Sequence, residues 1–421
     1  MNKTSKKIIT FALVFVSLVL SFFGGYFVRY FAMDSEQRAI YDLIQKYKKY
    51  YYFDDGDLVK DISDAILDEY SEYFTKKEYI EILNGAKGNY SGIGISFEAK
   101  SLKIVGVIGN SPAEKAGVVK GGTLTEIAVD ESFVKAQNFN NLSEILDSIP
   151  SEEEFKIKVR YGENTCEYTL SKQAYKRTYV HYYDNLGYYG FNDKSGTIAF
   201  EKLSSETIIT NDTVGYIVYD SFNGTESGLK GSAKQIEHVL NKFKQDKKQN
   251  VILDLRDNGG GYMDILSEVS AHFINSNYGA KVKIAVAKDK YNNEEVFYSS
   301  KCCFADYNFK NIIILANENS ASASEALIGA ILDYDKNNIV KVLVSSSVKN
   351  GETVYKTYGK GIMQSTYVNA DGSAVKLTTA EIFWPISTTS IHKVGLVGLD
   401  SGKILKVDKE TALSAALDLL K

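Results

Sequence analysis

The sequence predicts an α/β core that carries an inserted β-rich domain, preceded by a helical N-terminal region and one membrane-spanning helix. Three observations lead there. An uncharged run fills residues 8–28; short strands separated by turns occupy roughly Tyr90 to Leu170; and strands alternate with amphipathic helices from there to the end. With 421 residues, 44% of them hydrophobic, the chain can build two or three domains with real cores.

The N-terminal run comes first. Lys3, Lys6 and Lys7 make a short basic tail over residues 1–7, and the 21 residues from Ile8 to Val28 follow without a charge, closed by Arg29. At about 1.5 Å per residue such a helix spans roughly 30 Å of hydrocarbon. The run ends in Phe22-Phe23-Gly24-Gly25-Tyr26-Phe27. Bulky residues stand where a cleaved signal peptide needs small ones, which favours an uncleaved anchor. Lysines before the span and acids after it (Asp34, Glu36) place the N-terminus in the cytoplasm and the remainder outside it. The expected location is a single-pass membrane protein with its functional part extracytoplasmic.

Residues 34–88 carry helical spacing: Ala39-Ile40, Leu43-Ile44 and Tyr47, then Leu58, Ile62, Ala65-Ile66 and Tyr70. Asp55-Gly56-Asp57 supplies a turn and N-cap between them, and a further helix is expected over Lys76 to Leu83, ending in Asn84-Gly85-Ala86-Lys87-Gly88. No chemical constellation is visible here. Packing, tethering or a homodimer contact are the roles open to the region.

Residues 89–171 are expected to form the inserted domain. Gly92 to Phe97 begins a strand, Leu102 to Ile108 is a second, and Ser111-Pro112-Ala113-Glu114-Lys115-Ala116-Gly117 opens a short helix with Pro in its first turn and Gly at its end. A helix over Leu142 to Ile149 and strands over Phe155 to Val159 and Thr165 to Leu170 complete it. The order resembles a PDZ domain. In that fold the loop corresponding to Gly92, Ile93, Gly94 and Ile95 offers backbone N–H groups to a peptide's terminal carboxylate, and the edge strand pairs with the peptide. Glycine matters there because a side chain would block the approach. Gly121-Gly122-Thr123 stands where a PDZ domain of this kind usually has a Gly-Asp pair.

From residue 172 to 421 strands and helices alternate, which argues for a sheet covered on both faces. Thr213 to Tyr219, Asn250 to Arg256 and Asn311 to Ala316 read as buried strands, and Gly231 to Phe243, Met263 to Ile274 and a stretch ending near Tyr334 as helices. Functional groups in such sheets gather at the carboxyl ends of strands. Two segments fall there: Gly259-Gly260-Gly261 and Ser320-Ala321-Ser322-Ala323-Ser324-Glu325.

Some chemistries find little support. The net charge is −4, from 49 basic and 53 acidic residues well mixed, so no basic stripe points to nucleic acid. The four histidines (His181, His238, His272, His392) have no metal-binding spacing, and Cys166, Cys302 and Cys303 offer no disulfide framework. No metal or cofactor is expected.

What the residues do suggest is a serine nucleophile served by a lysine. The serine segment places small residues at a helix start, and Lys360 lies between Gly359 and Gly361, with Gln364 four residues on. A lysine base must be neutral, whereas its ordinary pKa is about 10.4. Bringing it to around 7 costs the charged form roughly 4 kcal/mol, which small apolar walls permit and nearby acids oppose. Gln364 can orient the neutral amine without charging it. The N–H of Ala323, at a helix start with free donors, and one from a glycine of the Gly259–Gly261 loop can receive an oxyanion. Each segment also has a plain reading. Ser322-Ala323-Ser324-Glu325 is a capping box, Gly-Lys-Gly a turn, and Asp254-Leu255-Arg256-Asp257-Asn258 a strand end with a surface ion pair.

Taken in order, Tyr70 to Phe74, Ser91 to Gly94, Ser111 to Gly117, Leu253 to Gly261, Asn317 to Glu325, Gly359 to Gln364 and Leu377 to Ile386 resemble the carboxyl-terminal processing peptidases. These are membrane-associated or secreted serine–lysine endopeptidases with an inserted PDZ domain. The resemblance implies a protease core at 172–421, Ser322 as nucleophile, Lys360 as base, Gln364 as its orienting partner, and Ala323 and Gly261 as oxyanion donors. It implies extracytoplasmic protein or peptide substrates with free C-termini that the PDZ domain engages. Two departures stand out. The stretch from Tyr334 to Gly359 is longer than the family's, around Ser345 to Gly351, as an exposed hairpin or loop that could cover the active-site entrance; and Gly398-Leu399-Asp400 replaces a Pro-Asp turn. The rival reading is a non-catalytic peptide-binding scaffold on the same fold. A Ser-His-Asp hydrolase is a weaker third, because no histidine lies in a recognisable motif.

Overall fold

The structure is a computed structural model that describes residues 30–51, 58–98, 101–129, 132–192, 199–205, 207–224, 231–349, 351–396 and 402–421. The basic tail, the expected anchor at 8–28, the turn at Asp55-Gly56-Asp57 and the Gly398-Leu399-Asp400 turn lie outside the described residues. Among those described, no helix is long and apolar enough to cross a membrane.

The chain divides into two compact units, residues 1–66 and 67–421. The first contains the helices Ser35–Tyr50 and Leu58–Ile66. Asp34 starts the longer one, accepting from the Gln37 N–H at 2.8 Å while the Gln37 side chain accepts from the Asp34 N–H at 3.2 Å.

The second unit opens with the strand Glu72–Phe74, which pairs antiparallel with the far strand Ala374–Phe383. The boundary therefore falls inside the region expected to be one helical block. Thr75 and Glu78 then cap the helix Lys76–Ala86. That helix runs three residues past the expected stop at Leu83. Gly85 is tolerated inside it, and the break comes at Gly88, whose φ of 73° a helix cannot accept.

In the inserted domain the expected strand Gly92 to Phe97 is two strands. Asn89–Gly92 pairs with Gln173–Lys176, and Ile95–Phe97 pairs with Ile104–Val107. The reason is Gly94, with φ 78°, where any Cβ would collide with the Ser111 side chain. The chain turns there and packs its backbone onto the start of the Pro112–Lys115 helix. Strands Ser132–Lys135, Thr123–Val129, Glu154–Tyr161 and Asn164–Ser171 form an antiparallel sheet in that spatial order. Ile104, Leu124, Ile127, Leu142, Ile157 and Val159 fill the domain's own core.

The remaining chain is built on a nine-stranded mixed sheet. Its centre is parallel: Val214–Tyr219, Asn250–Asp254, Asn311–Ala316, Val340–Lys349 and Ile404–Val407. Alternate residues point to opposite faces, as strand geometry requires. Val251, Leu253, Ile312 and Ile314 pack under the helices Ser232–Gln245, Met263–Phe273 and Ala323–Tyr334. Ile252, Ile313, Leu315 and Leu343 pack against the C-terminal helix Ala412–Asp418. The extra stretch before Gly359 is a hairpin, Val340–Lys349 with Glu352–Tyr355, at one edge. A second sheet of five strands (Glu72–Phe74, Lys283–Asp289, Glu294–Tyr298, Ile362–Val368 and Ala374–Phe383) stands beside the site.

Candidate active site

Two neighbouring parallel strands, Asn250–Asp254 and Asn311–Ala316, deliver the site from their carboxyl ends. After the first, the expected strand end carries its part-exposed ion pair at Asp257, with Lys120, while Asp254 and Arg256 pair inward. Asp254 is 3% exposed. It accepts from Arg256 Nη2 at 2.5 Å and Nε at 2.9 Å, and from the Tyr216 hydroxyl at 2.6 Å. The carboxylate beside it holds the Arg256 guanidinium in its charged form against burial. This bracket closes the turn into the glycine loop. Asn258 then pins that loop: its Nδ2 donates to the Tyr219 carbonyl at 2.7 Å, and its Oδ1 accepts from the Gly260 N–H at 2.9 Å.

The second strand runs into the serines. Ser320 Oγ donates to the Leu255 carbonyl at 2.7 Å and Ser324 Oγ to the Asn258 carbonyl at 2.9 Å, so both hydroxyls tie the segment to the glycine loop. Ser322 lines the cavity between them. It caps the Ala323–Tyr334 helix with φ 56° and ψ −116°. A non-glycine residue held there costs of order 1–3 kcal/mol, which the surroundings must supply.

Glu325 is the group that holds it. This side chain is fully buried and accepts four hydrogen bonds: from the N–H of Ser322 (3.1 Å), Gly359 (2.9 Å) and Lys360 (2.9 Å), and from the Thr357 hydroxyl (2.5 Å). Burial raises its pKa above the ordinary carboxylate value, and the four donors only partly offset that rise. Since every partner donates, only the carboxylate satisfies them all. One oxygen, Oε2, takes both Ser322 and Lys360, so their backbone nitrogens lie within about 6 Å of each other. The capping box read from sequence is thus only one side of Glu325's role. Its bonds to residues 357–360 cross more than thirty positions and left no local signal.

Lys360 and Ser322 line one cavity of about 360 Å³, together with Gly261, Ala323, Met263, Phe297, Gln364, Ile382 and Trp384. No carboxylate pairs with Lys360 Nζ among the described residues. Burial lowers the pKa of the amine, the nearby Lys376 charge lowers it further, and Asp68 opposes both. Gln364 sits at a bulge in the Ile362–Val368 strand. It lines the cavity but makes no hydrogen bond to Lys360; its Nε2 is buried without a partner.

Ala323 and Gly261 also reach the cavity. Neither N–H has an acceptor among the described residues. Gly261 is held at φ 149° by a parallel bridge to Phe222, whose N–H donates to the Gly260 carbonyl at 3.0 Å. Gly260 lies against the Ser322 turn: a Cβ there would stand 2.7 Å from the Ala321 carbonyl oxygen and 2.8 Å from the Ala323 nitrogen.

Two further features bear on chemistry. The described residues of the hairpin at 340–355 contribute nothing to the cavity wall. His392 is not a wall residue either, and its Nδ1 is buried without a partner; among the described residues no histidine lines the cavity beside Ser322. Among the described residues no cluster of three His, Cys, Asp or Glu could hold a metal.

A model described as Peptidase family S41 matches residues 213–398, the stretch that contains Gly261, Ser322, Ala323, Glu325, Lys360 and Gln364. The chain is similar to the carboxyl-terminal processing peptidases. It is 30% identical over 331 residues to a "Probable CtpA-like serine protease" of Staphylococcus aureus (strain COL), covering 78% of this chain and 54% of that protein. A protein of the same description from Staphylococcus saprophyticus is 27% identical over 381 residues, covering 86% and 66%. The chain thus spans about half the length of the first of these curated relatives. Among solved structures, the photosystem II D1 C-terminal processing protease superposes with a TM-score of 0.51 at 19% identity, covering 88% of this chain and 87% of that one. An S41-protease structure from Bacteroides fragilis gives 0.50 at 13% identity, covering 86% and 87%. These structures establish the shared fold, and the family is one of serine-type peptidases.

Proposed function

We propose that this chain is a membrane-anchored serine endopeptidase that cleaves extracytoplasmic proteins, with Ser322 as nucleophile and Lys360 as general base. The observation that carries the reading is the shared Glu325 oxygen, which fastens the two backbones beside one cavity. Neutral Lys360 takes the Ser322 proton as Oγ attacks the scissile carbonyl carbon. The oxyanion accepts from the N–H groups of Ala323 and Gly261, donors fixed before substrate arrives. The Lys360 ammonium then protonates the leaving amine, and the same amine activates the water that releases the acyl group. Gln364, with an unpartnered buried nitrogen on the same wall, is the residue placed to steer Lys360 once substrate is bound.

In this reading the inserted domain is a PDZ domain that recognises substrate C-termini through Gly92, Ile93, Gly94 and Ile95. Support comes from the Ile95–Phe97 strand, which pairs on one side only with Ile104–Val107 and leaves an edge for a peptide strand. Residues 8–28 are the anchor, with the catalytic part outside the cytoplasmic membrane. The test is cleavage of an unstructured protein such as β-casein by the full chain in detergent, beside Ser322→Ala and Lys360→Ala. Loss in both variants is expected. Equal cleavage by all three refutes the assignment, and peptide binding without cleavage by the wild type points to a scaffold.

A further inference from the structure

The region ahead of the inserted domain showed no chemistry in its sequence, yet it sends one side chain to the base. The Tyr70 ring centroid lies 5.6 Å from Lys360 Nζ. Tyr70 also meets Tyr358 edge-on at 6.5 Å and His392 at 6.3 Å, so three rings gather on the Lys360 loop.

Its placement is built. The Tyr70 N–H donates to Asp68 Oδ1 at 3.0 Å, and Ser71 Oγ accepts from the Thr378 N–H at 2.9 Å. The next three residues are zipped onto the Ala374–Phe383 strand, Glu72 opposite Lys376 and Phe74 opposite Ala374. Lys376 is held there, 3.1 Å from Glu72 and over the Phe74 ring at 5.2 Å.

We propose that Tyr70 is a positioning residue for the general base: its ring covers the Lys360 amine, excludes water from it and keeps it in the Ser322 cavity. This rests on the serine–lysine reading above. Two effects of the ring oppose each other. A ring face attracts an ammonium, but weakly at a part-exposed site; loss of water disfavours the ammonium by more, so the cover favours the neutral base. The attraction then serves the step in which Lys360 takes the Ser322 proton. The charged and titratable groups around the amine are Asp68 and Tyr70 from this segment and Lys376 from the paired strand. Tyr358 and His392 meet the Tyr70 ring, Glu325 accepts from the Lys360 backbone N–H, and Glu295 lines the same cavity. Only Asp68 and Lys376 act on its charge appreciably, and they oppose each other.

The experiment is kcat/KM against pH on β-casein for the full chain, with Tyr70→Phe, Tyr70→Ala and Lys360→Ala. Tyr70→Phe keeps the ring and the wild-type acid limb. Tyr70→Ala moves that limb toward alkaline pH, with about a tenfold loss at pH 7 that is recovered near pH 9. If Tyr70→Ala melts too low to assay, Tyr70→Leu must shift the limb in the same sense by a smaller amount. A loss uniform across pH with an unmoved limb, or equal shifts in the Phe and Ala variants, overturns the proposal. An inactive wild type, or Lys360→Ala cleaving as well as wild type, instead defeats the serine–lysine reading itself.

Discussion

Replacing Glu325 by Gln probes how Ser322 and Lys360, the proposed nucleophile and base, are held together. The carboxylate accepts four hydrogen bonds in a site without water access. An amide offers one accepting oxygen, and its NH2 must face two of the present donors. Two buried donors are then left unpaired, each at about 1–3 kcal/mol, so unfolding free energy should fall by about 4 kcal/mol. If the orphaned pair is Ser322 and Lys360, their backbones drift apart. A displacement near 1 Å costs about a hundredfold in rate. Glu325 is not a cavity-wall residue, so the loss should fall on kcat and leave KM nearly unchanged. Urea unfolding with steady-state cleavage measures both quantities. Glu325→Asp, which keeps the charge but is one methylene shorter, should fall between. A Glu325→Gln enzyme with kcat within about twofold of wild type refutes the reasoning.

Three other perturbations test separate parts of the frame. Gly260→Ala puts a Cβ within 2.9 Å of Ser322 Cβ and closer still to two backbone atoms, at φ 95°; kcat should drop at least about a hundredfold. Asp254→Ala leaves the Arg256 guanidinium without its partner and should cost about 3–5 kcal/mol in denaturant unfolding. Asp257 accepts from Lys120, Asn317 and Asn319, which together hold its pKa near 2, below the ordinary 3.8. A depressed carboxylate stabilises above the ordinary value and loses that contribution as pH falls toward 2. Asp257→Asn should flatten the acid-stability curve between those two pH values, and a curve of unchanged slope contradicts the link to the inserted domain's Lys120.

What could be read from the sequence and what could not divide by distance along the chain. The alternation after residue 172 has its signal in neighbouring residues, and it is observed as a mixed sheet covered on both faces. The serine and glycine segments also announce themselves locally, because small residues are needed where backbones approach. Glu325 looked like a capping residue, since its bonds to Thr357, Gly359 and Lys360 are formed only once the helix meets the lysine loop. Tyr70 is almost three hundred positions from Lys360, and no periodicity links them. Within the Asp254 to Asn258 strand end, the inward pairing of Asp254 had no signal because sequence spacing carries no information about the Tyr216 side of the sheet. The strand break at Gly94 turns on one steric contact with Ser111.

Covalent labelling tests the serine–lysine pairing most directly. A fluorophosphonate probe applied to the full chain at pH 8, followed by peptide mapping, should mark Ser322 and no other serine of its segment. Lys360→Ala, folded by its melting curve, should lose the label because no base remains to take the hydroxyl proton. Label on Ser320 or Ser324, or undiminished labelling of Ser322 in Lys360→Ala, contradicts the account.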